Sequence, residues 1–529
     1  MPEVEEVGTV AKSGRRTPSG AVTGEALVQF ISGAMTNIGR GTYYNLPEEQ
    51  QQAMKDMHSA ILKSARPFYT LMTLPAGVND VNKQLITFSL VENTLRESGL
   101  KDGERSPTTM WENEVMLQAL GNMQPNRVFD LFSMFAEKSM SPKRLDWMFH
   151  EYMKRHKDRW GLWAIKYRKP MTVVLRHFHS AVRGSKADAL MKKIWRYLKY
   201  NEADASLPEI IHDYVAVQNG NKDSLAKLPV TVAEGFMQKF ELNVEQFHAL
   251  FKEKGGRFTA KEKKLKATSV KKAGSDTGLD INRLELFDYL VFLKSLIDSG
   301  EDLPESSHKL RGLIAKKGKA LAAKMPIEFE KVAIIFDNSI SMYGSGDQKF
   351  HPYLRAMAIS SVIQGLSGSS KEYFTNPGDN LIKGIFPQVG SHSNYATPIM
   401  QALKDGHKTI MILGDGYENA PYEGAAHQLL FAYKQKIDSD LTVMHFNPVF
   451  ASESLDARGI SQLASNVGVR DVSALGESMV LALAKQDPIA AISAYVKNLV
   501  ALQGDEAKSL MPQSVADSIS QGKLLVSNQ

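Results

Sequence analysis

Cysteine is absent from all 529 residues. That excludes disulfide bridges, thiolate zinc sites and cysteine nucleophiles, and it suits a reducing compartment. Long apolar runs are absent too. No window reaches the roughly 18 consecutive apolar residues of a membrane-spanning helix. The first twenty residues are polar, acidic and then basic, without the apolar stretch of a signal peptide. A soluble, cytoplasmic protein with no membrane partner is the expectation. The chain also lacks a glycine-rich phosphate loop with its lysine, and it has no pair of carboxylates with defensible catalytic spacing. A nuclease or other hydrolase is therefore the weakest functional class, and no catalytic residue is assigned.

What is present in excess is segregated positive charge. The net charge is only +6. Yet residues 151–200 hold 14 Lys and Arg against 3 Asp and Glu, 252–272 hold 9 against 2, and 308–325 hold 6 against none. The remainder of the chain is thus about −18. Solvated helix faces mix their signs more evenly, so a basic zone on an acidic protein points to a polyanion such as nucleic acid.

Lys331-Val-Ala-Ile-Ile-Phe-Asp337-Asn-Ser339-Ile-Ser341 combines a short apolar block with an acid and two hydroxyls. The block reads as a parallel strand buried on both faces. Polar residues just past such a strand line the ligand crevice of an open α/β sheet. A carboxylate with hydroxyls is a hard oxygen set, suited to magnesium, calcium or manganese. A second buried strand, Thr409–Leu413, ends in Gly414-Asp415-Gly416, and a polar loop enters a helix through Thr397. These pieces resemble the von Willebrand factor A domain, whose metal-ion-dependent adhesion site has Asp-x-Ser-x-Ser, then Thr, then Asp. The resemblance implies Asp337, Ser339, Ser341, Thr397 and Asp415 as ligands of one divalent ion, Mg2+ by preference. The bland alternative is a loop whose hydroxyls only satisfy backbone donors.

From Thr23 the pattern is helical for some 300 residues. Amphipathic segments run from about Pro47 and at 109–121, 125–138, 142–157, 186–200, 207–218, 243–252, 281–298 and 308–323. No strict period is present, but many medium helices in sequence favour stacked antiparallel pairs, a solenoid or ring. The methionines of these helices read as core fillers. Gly255–Gly278 is Lys-rich and nearly devoid of apolar residues, and reads as a basic loop. After Pro326 come strands over 328–336, near 372–375, over 381–386 and 409–414, and over 441–446, a helix over 353–366, and two short helices after Gly459.

The most basic window contains Trp163-Ala-Ile-Lys166-Tyr167-Arg168-Lys169-Pro170 and then Leu175-Arg176-His177-Phe178-His179. Lys and Arg neutralise phosphates, and Tyr or His can stack on unpaired bases. Arg176 and His179 fall on one helix face. A metal pair of His177 and His179 is disfavoured for want of further ligands, whereas a structural role for His179 is a serious competitor.

An Ala-x-x-Lys-Tyr-Lys/Arg segment followed by Leu-Arg-x-x-His, upstream of an A domain, resembles the Ro autoantigen or TROVE-domain family. Gly41-Thr42-Tyr43-Tyr44 and Asp456-Ala-Arg458-Gly459 support it, and the order of all four pieces matches over roughly residues 25–485. The resemblance implies a HEAT-like helical-repeat ring followed by a doubly wound α/β von Willebrand A domain. With residues 1–20 read from their composition as a disordered tail, the chain divides into that tail, the helical RNA-binding domain (21–326), the A domain (327–487) and a C-terminal helix and tail (488–529). The resemblance further implies a non-catalytic, monomeric protein that binds small structured Y-like noncoding RNA and the ends of misfolded RNA, with an exoribonuclease as a further partner. Lys166, Tyr167, Arg168, Arg176 and His179 are the implied RNA contacts. Two departures stand out: the Lys166–His179 segment is short, and Tyr395-Ala396 replaces the glycines before the metal threonine. The competing reading is a metal-dependent adaptor whose A domain binds a protein partner while the helices act as a scaffold.

Overall fold

The computed structural model describes residues 24–38, 46–94, 106–140, 143–178, 188–256, 262–263, 280–325, 327–343, 350–376, 381–449, 458–469, 472, 475–483 and 488–520. His179, the proposed tail over 1–20, most of the basic loop, and Asp456 with Ala457 lie outside them.

The first helices are α1 (Gly24–Thr36), α2 (Pro47–Ser64), α3 (Arg66–Leu71), α4 (Asp80–Glu92), α5 (Pro107–Asn122), α6 (Pro125–Glu137), α7 (Lys143–Arg155), α8 (Trp160–Lys166) and α9 (Arg168–His177). Their starts are local chemistry. Proline, which has no N–H to satisfy, opens α2, α5 and α6. Asn79 Oδ1 accepts from the backbone N–H of Asn82, and Ser106 Oγ from that of Thr109, capping α4 and α5. Helices α2, α4, α6 and α9 pack side by side in one layer, and α3, α5 and α7 in a second. This alternation is the two-layer stacking of a helical solenoid, carried by packing rather than by a sequence period. Helix α4 gave no amphipathic signal because it buries Asn82, Lys83, Gln84 and Thr87 as well as Ile86 and Leu90.

The helices continue as α10 (Ala189–Tyr200), α11 (Glu209–Gln218), α12 (Val230–Ala233), α13 (Val244–Glu253), α14 (Leu286–Asp298) and α15 (Ser307–Ala322). The last two pack against α17 (His351–Gly365) of the α/β unit and share its core. Gly318 makes this possible, since a Cβ there would lie 2.3 Å from the Ser361 carbonyl oxygen.

The α/β unit is a parallel sheet of β1 (Phe329–Phe336), β2 (Ser367–Phe374), β5 (Thr409–Leu413), β6 (Thr442–Asn447) and β7 (Ser465–Gly468), in the order β2-β1-β5-β6-β7. Its helices are α16 (Ile340–Tyr343), α17, α18 (Ala396–Lys404), α19 (Ala425–Lys436) and α20 (Leu475–Leu483). Burial alternates as pleating requires: Val332, Ile334 and Phe336 enter one core, while Ala333 and Ile335 enter the other. The sheet is therefore doubly wound, with its topological switch between β1 and β5. Residues 381–386 are not one strand. Lys383 and Gly384 take positive φ, so the chain reverses between β3 (Leu381–Ile382) and β4 (Phe386–Pro387). A strand, β7, occupies part of the stretch read as the first short helix after Gly459, because the buried edge of β6 pairs with it.

The last helices, α21 (Pro488–Ala501), α22 (Asp505–Leu510) and α23 (Gln513–Ser520), return to the first. Helix α21 packs on α1 and α3, and α22 on α5. Trp111 Nε1 donates to Gln503 Oε1 at 2.7 Å, and the Gly504 N–H to Gln118 Oε1 at 2.8 Å. At the sheet edge the Gly468 N–H donates to Ser32 Oγ at 2.7 Å. The chain thus closes a circuit from the first helix through the α/β unit and back. Among the described residues no helix is long and apolar enough to cross a membrane.

Candidate functional site

The sheet switch brings the ends of β1 and β5 together. Asp337, Ser339, Ser341 and Asp415 are all buried there. Ser339 Oγ and Ser341 Oγ are 3.0 Å apart, and Ser341 hydrogen-bonds to the Asp415 carboxylate. Asp337 is held from three sides. Its Oδ1 accepts from the Ser339 backbone N–H at 3.0 Å and from Thr375 Oγ1 at 2.9 Å, and its Oδ2 from the Tyr395 hydroxyl at 2.5 Å. Burial raises the Asp337 carboxyl above the usual range. Burial, and then the charge of Asp337, pushes Asp415 up to about 7. Two buried carboxyls, one of them raised by the charge of the other, beside two hydroxyls have the all-oxygen chemistry that suits a hard divalent cation. Thr397 stands apart. It is exposed on the first turn of α18, its backbone N–H bonds to Asn394 Oδ1, and its side chain makes no hydrogen bond to the other four.

Thr375 and Tyr395 are the participants that sequence reasoning missed. Thr375 follows β2 as Asp337 follows β1, so the same rule about polar residues past a buried strand would have found it. Tyr395 had a signal only as a departure from the family glycines. Its phenol is fully buried, and Gly414 makes room for it: a Cβ at Gly414 would lie 2.2 Å from the hydroxyl and 3.0 Å from Asp337 Cβ. The loop after β5 is clamped from β6, where Asn447 Nδ2 donates to the Asp415 and Arg458 carbonyls and His445 Nε2 meets the Gly414 carbonyl. Among the described residues no three His, Asp or Glu side chains cluster, as expected of a set with only two carboxylates.

The cationic residues of the helical layer divide differently. Lys166 ends α8 and is exposed without an ionic or hydrogen-bonded partner, as is Arg176 in the last turn of α9. With Lys169 and Val173, Arg176 forms the outward stripe of α9. Arg168 points along the protein instead: it donates to the Tyr197 hydroxyl at 2.8 Å and Asn201 Oδ1 at 2.5 Å, and it lies 4.7 Å over the Tyr197 ring. Tyr167 is half-buried with its ring 5.9 Å from Phe129, and burial raises its phenol. His177 Nε2 bonds to the Met140 carbonyl, which gives that histidine a structural place. His179 is outside the described residues.

The architecture defines a class, a doubly wound α/β domain joined into a closed helical solenoid. No protein-family description matches the chain. No curated protein matches it in sequence. Among solved structures, it is similar to the crystal structure of the Deinococcus radiodurans RO (RSR) protein, with TM-score 0.45 and 12% identity over 86% of this chain and 99% of that one.

Proposed function

We propose that this chain is a non-catalytic RNA-binding protein of the Ro type, taking small structured, Y-like noncoding RNA and the ends of misfolded RNA. The observation that carries the reading is the outward face of α8 and α9, where Lys166, Lys169 and Arg176 stand exposed without ionic partners. Unpaired cations add phosphate affinity directly, whereas paired ones must first break a contact. In this reading Arg168 and Tyr167 set the shape of the face, and Lys166, Lys169 and Arg176 touch RNA. The test is a gel-shift titration of a hairpin RNA with a single-stranded tail against the Lys166→Ala/Arg176→Ala protein. Affinity should fall at least tenfold and the salt dependence should flatten by about 0.7–0.9 in log–log slope per lost contact. Wild-type affinity in a folded variant would refute the assignment.

One Mg2+ ion belongs to the same proposal. Ser339, Ser341 and Asp415 would hold it, with Asp337 acting through water because its oxygens already accept three hydrogen bonds. The ion would supply countercharge to the carboxylates and an open position for an acidic partner group. One observation favours the adaptor reading for this end of the molecule. Ile340, between the two serines, is 52% exposed, and Met400, one turn past Thr397, is 42% exposed. An apolar rim around a cation suits a protein partner, and an exoribonuclease docking there is compatible with RNA held on α8 and α9.

A further inference from the structure

One cavity lies neither at the sheet switch nor on the α8–α9 face. It has a volume of about 820 Å³ and opens between α2, α4 and the end of α6. That is within the roughly 300–1,000 Å³ of small-molecule sites. Its wall carries four cations, Lys55, Lys63, Arg66 and Lys138, against one carboxylate, Glu92. Lys55 and Lys63 are two helical turns apart on α2, exposed and without ionic partners. Arg66 is held by the buried Glu112 carboxylate, which Arg144 also reaches, so the exposed charge of the wall is that of the lysines.

Part of the wall is apolar. Leu62, Leu85 and Met134 line it, and so does Phe88. The Phe88 ring stacks on Phe135 at 5.0 Å and 13°. The Lys138 ammonium stands 4.5 Å from the Phe88 ring centroid, held only by a 3.5 Å pair with Glu92 in which both partners are about half exposed. Such a pair is weak and readily exchanged. His58, Ser59, Ser89, Asn93 and Thr94 add polar groups to the lining.

We propose that this cavity binds a nucleobase bearing a phosphate. The base lies between Leu62 and Phe88, displacing the Lys138 ammonium, and the phosphate meets Lys55 and Lys63. An apolar slot alone would take any flat ligand. The excess of cations at its mouth selects one with an anionic group, and the Glu92 carboxylate can accept from ribose hydroxyls. The ligand is either a free mononucleotide or a nucleotide of an RNA strand. Helices α2, α4, α6 and α9 form one layer, so a strand on the α9 face could reach the cavity. The proposal does not depend on the α8–α9 reading.

The experiment is saturation-transfer difference NMR on the full chain with adenosine 5′-monophosphate, with adenosine and inorganic phosphate as separate probes. Base protons of the nucleotide should be saturated, and the nucleotide should bind at least tenfold more tightly than either fragment. Lys55→Ala/Lys63→Ala should weaken it at least tenfold, and Ser89→Trp, which fills the cavity, should abolish it. Circular dichroism checks both folds. No binding by the wild-type protein, equal binding of inorganic phosphate, or wild-type affinity in both variants would each overturn the proposal. The Lys166→Ala/Arg176→Ala protein should keep the nucleotide whatever becomes of its hairpin RNA. Displacement of the nucleotide by a 5′-phosphorylated oligoadenylate assigns the source to a strand end, and no displacement assigns it to a free nucleotide.

Discussion

At the carboxyl ends of β1 and β5 the polar groups are buried and interlocked, down to the two oxygens of Asp337 with their three donors. On α8 and α9 the opposite holds for the cations: Lys166 and Arg176 reach into solvent, while Arg168 is tied down. The first region holds fixed geometry at the expense of desolvation, with carboxyls driven upward by burial. The second keeps its charges hydrated and therefore cheap. A cation site needs oxygens preplaced within tenths of an ångström, while a phosphate-binding face needs mainly charge density. Under the proposed function, the two regions would meet those requirements in different parts of one chain.

The largest effect that would break this contrast is at Asp337. Asp337→Ala should abolish stoichiometric divalent-metal binding, read by elemental analysis, and leave hairpin-RNA affinity within about twofold. Metal content equal to wild type would mean that the donors serve only the backbone.

The helical layer also has an interlocked interior, and pH exposes it. His58 is buried, with Nδ1 2.7 Å from the Tyr69 hydroxyl and Nε2 3.2 Å from Asn82 Oδ1, and burial lowers its pKa from 6.5 to about 4. The folded protein refuses a proton that the unfolded chain accepts. The neutral histidine's contribution is therefore complete above pH 6.5 and is lost as pH falls toward 4. It amounts to about 3 kcal/mol. Urea titrations across that window should show the loss, and His58→Gln should flatten it.

At the sheet switch, Gly414→Ala should destabilise by about 1–3 kcal/mol, the usual cost of an overpacked core. The same substitution in a Tyr395→Phe background should cost less, because the atom 2.2 Å from the new Cβ is the phenol oxygen. Thermal melts of the four proteins close the cycle. Additive costs would mean that the clash lies with Asp337 instead.

The smallest effect separates the cations from one another. Arg168→Ala should lose about 1 kcal/mol of stability through its bonds to Tyr197 and Asn201. Lys166→Ala should change stability by less than about 0.5 kcal/mol. Equal melting points would place Arg168 with the exposed cations.

Much of this was legible in the chain. The apolar block before Asp337 and the one before Asp415 both became central parallel strands, and four of the five implied metal ligands came together. Thr397 did not join them, because Tyr395 rather than Thr397 turns inward to Asp337. The helix starts at Pro47 and at residue 125 were readable in the sequence, while α5 begins at Pro107, two residues before the segment read from 109. Helix α4 was not, since it is enclosed nearly all round, and β7 was not, since its pairing with β6 outweighs a weak local preference.

The sequence alone determined which polar residues end buried strands and where many helices begin, because both follow from neighbours within a few positions. Tertiary structure alone decided that Tyr395 caps a carboxylate 58 residues away, and that Arg168 is captured from 33 residues away at Asn201. It also decided that residues 488–520 close the circuit on the first helices. Those outcomes depend on side chains meeting through space at the ends of rotatable stems, and no local spacing encodes which partner they find.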